Sequence, residues 1–288
     1  MKANIQIFKA SASAQIQDIG RSGFANYGIP KSGVVDPKVM KKLNKLLDNH
    51  PNDAVIEWSL LGPQLLFPQP TYIAVSQNSP HTRLNDQPIR AHEKIYVPKN
   101  SMLIMGANQH ETYSYLAIDG GFLTAKVLGS RSMQTALMPD THIHKSLDLQ
   151  YDYLPERPTV LQRPSFTVPK PAPDKLVRIF KCYRGPEYSL LNESDINNLS
   201  EYFTLSTQRN RMGLLFSELL PNTLAPILSA PVLPGTIQLT PSGKLILLGR
   251  DCQTTGGYPR ILWLNKKSLS GLSQLRSGIK FRLEMLDY

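Results

Sequence analysis

Apolar residues in this chain come in short runs, rich in β-branched and aromatic side chains and bounded by Gly, Pro, Asn or Ser. Residues 55–60, 72–75, 101–105, 115–118 and 244–248 are examples. Many short runs of this kind predict the strands of an all-β barrel or sandwich. The 23 prolines agree with that reading, because proline suits turns and sheet edges, where no ladder bond is lost. The spacing becomes helical in one clear place. Val39, Met40, Leu43, Leu46 and Leu47 share one face, with Lys41, Lys42 and Lys45 mostly away from it. Asp36 followed by Pro37 predicts the cap and first turn of this helix, and Asn49 and Pro51 its end. A second helix is predicted over about 192–203, with Ile196, Leu199 and Phe203 inward. A short third one holds Leu269, Leu272 and Leu275.

The stretch 154–174 is proline-rich and lacks apolar periodicity, so it reads as a linker. The expected organisation is an N-terminal β-barrel domain at 1–160, a linker at 161–174 and a C-terminal β-barrel domain at 175–288. The halves echo each other weakly, Arg21-Ser22-Gly23-Phe24 against Arg211-Met212-Gly213-Leu214. Duplication and chance recurrence both account for that.

A chain of 288 residues, 41% of them hydrophobic, can bury a large core. It has no apolar stretch near the roughly 20 residues of a membrane span. The start turns directly into a strand-like pattern without a signal-peptide apolar region, which makes the cytoplasm the expected location. The net charge of +10 raises the question of nucleic acid. The basic clusters are small, however, and no RNA-binding or helix-turn-helix pattern accompanies them, so a solvated face or a surface for an acidic partner protein is expected instead. Cys182 and Cys252 have no metal-type spacing and are expected to be buried free thiols. The six histidines offer only His142-x-His144, a weak ligand pattern, and no metal is expected.

Two glycine-rich blocks carry the candidate chemistry. The first, over 16–36, offers Gln17, Asp18, Arg21, Ser32 and Asp36 among Gly20, Gly23, Gly28 and Gly33. An arginine fork suits a planar carboxylate, carbamate or phosphate. Asp18 is a candidate base, or the group that holds Arg21 in place. Asp36 is most economically a helix cap. Ser32 and Gln17 serve a ligand or the turn backbone. The second block, over 251–259, offers Asp251, Thr254, Thr255, Gly256 and Tyr258, with Arg209, Arg211 and Gln238 upstream. Hydroxyls and glycine amides of this kind can stabilise an oxyanion. Cys252 lies within the block but has no histidine near it in sequence, which disfavours a nucleophile. Between the blocks, Arg131 in Gly129-Ser130-Arg131-Ser132 is either an anion ligand or a turn arginine bound to carbonyls. Glu57 either pairs with an arginine such as Arg21 or Arg131 or lies on the exposed side of its strand, and the structural use is preferred.

These blocks, with Leu60-Leu61-Gly62-Pro63, the run 115–122, Gly235-Thr236-Ile237-Gln238 and Gln274-Leu275-Arg276-Ser277-Gly278, stand in an order and spacing that resembles the allophanate hydrolase subunit 2 family, also described as the family of biotin-dependent carboxyltransferases or of 5-oxoprolinase C subunits. The resemblance covers nearly the whole chain. It implies two β-barrel domains of cyclophilin-like topology, with a functional cleft near their junction. It also implies partners: a subunit 1-type protein (the 5-oxoprolinase B subunit) and the A subunit, which together open the lactam of 5-oxo-L-proline to L-glutamate at the expense of ATP. On that reading Asp18, Arg21, Asp251 and Tyr258 are the catalytic candidates. Gln17, Ser32, Arg131, Arg211, Gln238, Thr254, Thr255 and Gly256 bind the small amide substrate. Other relatives transfer a carboxyl group from carboxybiotin to urea, or antagonise an inhibitor of a sporulation histidine kinase without turnover. The chain has no biotin-accepting Met-Lys-Met segment and no phosphate-loop motif, so biotin is not expected to be its cofactor, and ATP is used by the complex. One departure stands out: after Ser132 the family continues with a glycine-rich stretch, whereas residues 133–140 contain no glycine.

Overall fold

The structure, a computed structural model, describes residues 1–153, except 78, 80, 109, 136, 139 and 141, and residues 178–286. The linker expected at 161–174 lies outside these residues. The described chain forms two compact units, one of residues 1–21 and 32–153, the other of residues 178–286 together with 22–31.

The first unit runs through β1 (Lys2–Asn4), β2 (Gln6–Lys9), β3 (Gln15–Gln17), α1 (Pro37–Leu46), β4 (Val55–Ser59), β5 (Gln64–Phe67), β6 (Thr71–Val75), β7 (Arg83–Leu84), β8 (Gln87–Pro88), β9 (Ile95–Val97), β10 (Ser101–Ile104), β11 (Tyr113–Ile118) and β12 (Gln150–Asp152). Among the described residues its strands do not close into a single ring. They divide between a five-stranded sheet ordered β2-β5-β10-β7-β8, another ordered β3-β4-β11-β6-β9, and a β1-β12 ribbon. The two large sheets share one core, to which the first contributes Ile7, Leu65, Phe67 and Leu103 and the second Ile16, Ile56, Trp58, Ile73 and Leu116.

The helix α1 is built as its sequence predicts. The Asp36 carboxylate accepts from the amides of Lys38 (3.0 Å) and Val39 (3.4 Å), and Pro37 takes the first turn. Its apolar face, Met40, Leu43 and Leu46, joins Val55, Ala74, Tyr115 and Ala117 in a second core on the other side of β4, β6 and β11. That sheet is therefore buried on both faces in its middle, which corrects the expectation for Glu57. This residue is buried, 2% exposed, and accepts from the Val35 amide at 2.7 Å. Alternation along β4 distinguishes two cores rather than core from water. Burial, then the charges of Glu57 and Asp36, push the Tyr115 hydroxyl well above its ordinary pKa. The hydroxyl therefore stays protonated against Glu57, while it accepts from the Asp36 amide at 3.0 Å. Asn44, a polar residue on the buried face of α1, donates to the Asp53 carbonyl at 2.9 Å.

The second unit contains β13 (Arg178–Arg184), α2 (Glu193–Asn198), β14 (Tyr202–Arg209), β15 (Gly213–Leu219), β16 (Ala230–Pro231), β17 (Thr236–Leu239), β18 (Lys244–Leu248), β19 (Thr255–Gly256), β20 (Arg260–Leu264), α3 (Lys266–Gln274) and β21 (Lys280–Met285). Seven strands close a barrel in the order β13-β20-β17-β18-β15-β14-β21, and β21 returns parallel to β13 to seal it. Phe203, Phe216 and Phe281 stack edge to face or tilted in its core. The helix α2 is shorter than predicted. Asn192 caps it by accepting from the Asp195 amide at 2.8 Å, but it ends after Asn198. Phe203 is buried as a strand residue of β14, because its alternation with Leu205 fits the barrel wall. The helix α3 places Leu269 and Leu272 inward, followed by Leu275, as expected. The architecture is mainly β, includes a β-barrel and carries three short helices among the described residues. Among those residues no helix is long and apolar enough to cross a membrane.

Candidate functional site

In the first unit three sequence-distant segments meet at Asp18. Asp18 is 7% exposed, and its carboxylate accepts four hydrogen bonds. The Gly20 amide (2.8 Å), the Ser130 hydroxyl (2.6 Å) and the Ser132 hydroxyl (2.7 Å) reach Oδ1, and the Arg131 amide (2.7 Å) reaches Oδ2. The Asp18 amide in turn donates to Ser132 Oγ at 3.0 Å, and the Ser132 amide to Ser130 Oγ at 3.0 Å. On its other side the Asp18 carbonyl accepts from the Val34 amide at 2.9 Å. Gly33 allows this approach. It sits at φ +90°, and a Cβ there would lie 2.7 Å from the Ile19 carbonyl carbon.

Around this hub the other first-block residues are buried. Arg21 is 3% exposed and donates from a terminal guanidinium nitrogen to the Ser132 carbonyl at 2.5 Å. The Gln17 amide donates to Gln15 Oε1 (3.1 Å) and the Met133 carbonyl (3.3 Å). Ser32 is 1% exposed in the left-handed region, φ 55°, and its hydroxyl finds no partner among the described residues. Met133 opens the segment that departs from the family's glycine-rich pattern. It is tied to β3 by its amide, which donates to the Ile16 carbonyl at 2.9 Å. A cavity of about 250 Å³ opens beside the hub, lined by Asp18, Gly20, Asp53, Leu123, Lys126 and Arg131 among others.

The second-unit constellation is also organised around a carboxylate. Arg211 grips Asp251 with a two-pronged contact, Nε to Oδ2 at 2.7 Å and a terminal nitrogen to Oδ1 at 3.1 Å, with side chains 12% and 15% exposed. The Asp251 amide donates back to the Arg211 carbonyl at 2.9 Å. Arg209, by contrast, donates to the carbonyls of Ser273 and Leu275 and belongs to the barrel wall. Gln238 is 1% exposed and its amide donates to the Tyr258 carbonyl at 3.3 Å. A Cβ at position 256 would lie 2.6 Å from Gln238 Nε2, so glycine there makes room for this contact. The Thr254 carbonyl accepts from the Val232 amide at 3.0 Å, and Thr255 with Gly256 forms β19 against β16. A second cavity of about 250 Å³ is lined by Met212, Gln238, Ile246, Leu248, Gly256 and Tyr258 among others. Tyr258 is 40% exposed at its edge.

Cys252 packs with Val232 and Leu248 rather than facing this cavity, and burial pushes its thiol up to about 12, with the Asp251 charge adding to the shift. Cys182 is likewise pushed to about 12, by burial and then by Glu284. Both are buried free thiols. The thiolate is the reactive form and is nearly absent at pH 8. An aromatic disulfide reagent at that pH is therefore expected to titrate no thiol in the native protein and two after denaturation. Fast native labelling of either cysteine would refute this assignment.

The sequence does not mark Ser130 and Ser132 as separate functional groups, although their i, i+2 spacing around Arg131 lets both hydroxyls reach Asp18. Lys126, which lines the first cavity, carries no motif signal at all.

Comparison with known proteins places these two units together in one family. The family profile described as "Carboxyltransferase domain, subdomain A and B" matches residues 27–285. The C subunit of 5-oxoprolinase from Haemophilus influenzae is 28% identical over 291 residues, covering 98% of this chain and 91% of that protein. The Escherichia coli protein of the same name is 28% identical, covering 95% of this chain and 88% of its own length. A urea amidolyase of Lachancea kluyveri is 35% identical over 128 residues, 44% of this chain and only 7% of that protein. Among solved structures, the urea amidolyase of Kluyveromyces lactis superposes with a TM-score of 0.84 at 23% identity; the match covers 99% of this chain but 19% of that one. A profile match running from the first glycine block to the last barrel strand leaves one assignment: the chain belongs to the carboxyltransferase domain family, subdomains A and B.

Proposed function

We propose that this chain is the C subunit of a bacterial ATP-dependent 5-oxoprolinase, which opens the lactam of 5-oxo-L-proline to L-glutamate together with A and B subunits. The observation that carries this reading is the near full-length similarity, in both directions, to the H. influenzae and E. coli proteins named as 5-oxoprolinase C subunits. In the overall reaction water cleaves the ring amide bond, the carbonyl carbon becomes the new carboxylate and the ring nitrogen the amine, and ATP is hydrolysed to ADP and phosphate.

The geometry supports a division of labour among the residues. Asp18 is occupied by four donors and Asp251 by Arg211, so both act as positioning residues before any role as a base. Arg21 and Arg131 stand at the first hub. Gln238, Gly256 and Tyr258, with Thr254 and Thr255 in the adjoining loop, offer donors at the second cavity. Fixed donors of this type stabilise charge on a carbonyl oxygen under attack. The urea amidolyase match favours carboxyl transfer to a urea-like amide as the second reading, and it too requires an amide held beside such donors.

The test is 5-oxoproline-dependent ATP hydrolysis and glutamate release by this chain reconstituted with its A and B partners. Turnover is expected to require all three. Equal turnover by A and B alone, or a complete complex that ignores 5-oxoproline and carboxylates urea, would sink the proposal.

A further inference from the structure

The loop at 130–132 divides its work between backbone and side chain in a way that points to a ligand. The Arg131 amide, not its guanidinium, holds Asp18, and the flanking serine hydroxyls complete that carboxylate. The half-buried Arg131 side chain is left lining the first cavity, where it meets no acceptor among the described residues. Lys126, exposed on the same cavity wall, likewise meets none. Of the two carboxylates that share the wall, Asp18 carries its four donors, and Asp53 accepts from the His50 amide at 2.9 Å through Oδ2. Among the described residues, the cavity therefore presents two cationic donors that no carboxylate binds directly, with only the Asp53 carboxylate partly open beside them.

Charge and size narrow the ligand class. Two cations against two carboxylates give no net positive field, so a polyphosphate has no electrostatic reason to prefer this site. A single anionic group that takes the arginine fork edge-on does. Ile19, Ala54, Phe122 and Leu123 supply an apolar wall for the body that carries it. A volume of about 250 Å³ lies below the usual drug-sized range of roughly 300–1,000 Å³ and suits a small metabolite.

We propose that this cavity of the first unit binds a small monocarboxylate, with Arg131 as its bidentate ligand and Lys126 as a second cationic contact. Identifying that carboxylate with the one on 5-oxoproline rests on the 5-oxoprolinase reading; the site itself does not.

Calorimetric titration of the full chain tests both statements. The probes are 5-oxo-L-proline, 2-pyrrolidone (the same lactam without the carboxylate), acetate, L-proline and inorganic phosphate. Binding of 5-oxoproline is expected to be at least tenfold tighter than that of 2-pyrrolidone. Arg131→Ala is expected to weaken it at least tenfold with an unchanged thermal midpoint, because the structural bond comes from the backbone. Arg131→Lys should recover part of the loss, and Lys126→Ala should weaken binding about threefold. If 2-pyrrolidone binds as well as 5-oxoproline, if Arg131→Ala and Lys126→Ala both bind normally, or if none of the carboxylates binds, the site is overturned whatever the reconstituted complex does. Phosphate binding tighter than every carboxylate overturns the assignment of ligand class. Arg131-dependent binding of acetate or proline without 5-oxoproline upholds the site and removes the 5-oxoproline identification.

Discussion

Asp18→Asn is expected to lower the thermal midpoint of the first unit by about 6–12 °C, although the side chain keeps its shape. Asparagine can retain one acceptor atom for Gly20, Ser130 and Ser132, but its amide nitrogen then faces the Arg131 N–H, which stands 2.7 Å from Oδ2 in the parent. A buried donor left without an acceptor costs about 1–3 kcal/mol, and the three remaining bonds lose their charge assistance. A total of about 3 kcal/mol, at roughly 2–4 °C per kcal/mol for a unit of this size, gives the stated range. Asp18→Ala should cost more. The readout is fluorescence of Trp58, fully buried in the first unit, in a Trp263→Phe background that silences the second. A midpoint within 2 °C of the parent would mean that the hub is incidental.

The second large effect concerns the Arg211–Asp251 pair. Removing one partner leaves the other's charge, only 12–15% exposed, without its match. Breaking a fully buried pair costs about 3–5 kcal/mol; for this partly exposed one about 2–3 kcal/mol is expected from either alanine substitution. The double mutant should be little worse than the singles, giving a coupling of about 1.5 kcal/mol or more. Arg211→Lys should recover less than half, since an ammonium cannot reproduce the fork. Urea unfolding of the four proteins measures the cycle. Coupling near zero would free both residues for direct work on a substrate, and Asp251→Asn would then be expected to abolish turnover at unchanged stability.

What the sequence made legible was local. The cap at Asp36, the spacing of α1, the short strands and the Leu269–Leu272–Leu275 helix follow from signals a few residues apart. The helix expected at 192–203 is too long because Ile196, Leu199 and Phe203 keep a helical spacing, whereas the barrel recruits Phe203 into β14. Glu57 departs from expectation for a related reason: polar alternation implies an exposed face only when a sheet has one. The candidate site was legible as a set of residue types and not as a set of partnerships. Asp18 finds its donors more than 110 residues away, at 130–132, and Arg211 finds Asp251 forty residues on. No pattern in the chain reports such pairings, and for Lys126 no pattern reports even the residue.

The parallel seal between β13 and β21 also has a consequence for biogenesis. During translation every other strand of the second unit emerges from the ribosome before residues 280–285, yet β21 is the stave that lies between β13 and β14. Until it arrives, the nascent barrel has two raw edges, each able to accept a foreign strand. The unit therefore completes its fold only once residues 280–285 have been made. A chain that stops short of residue 280 should be recovered as aggregate rather than as a shorter soluble domain.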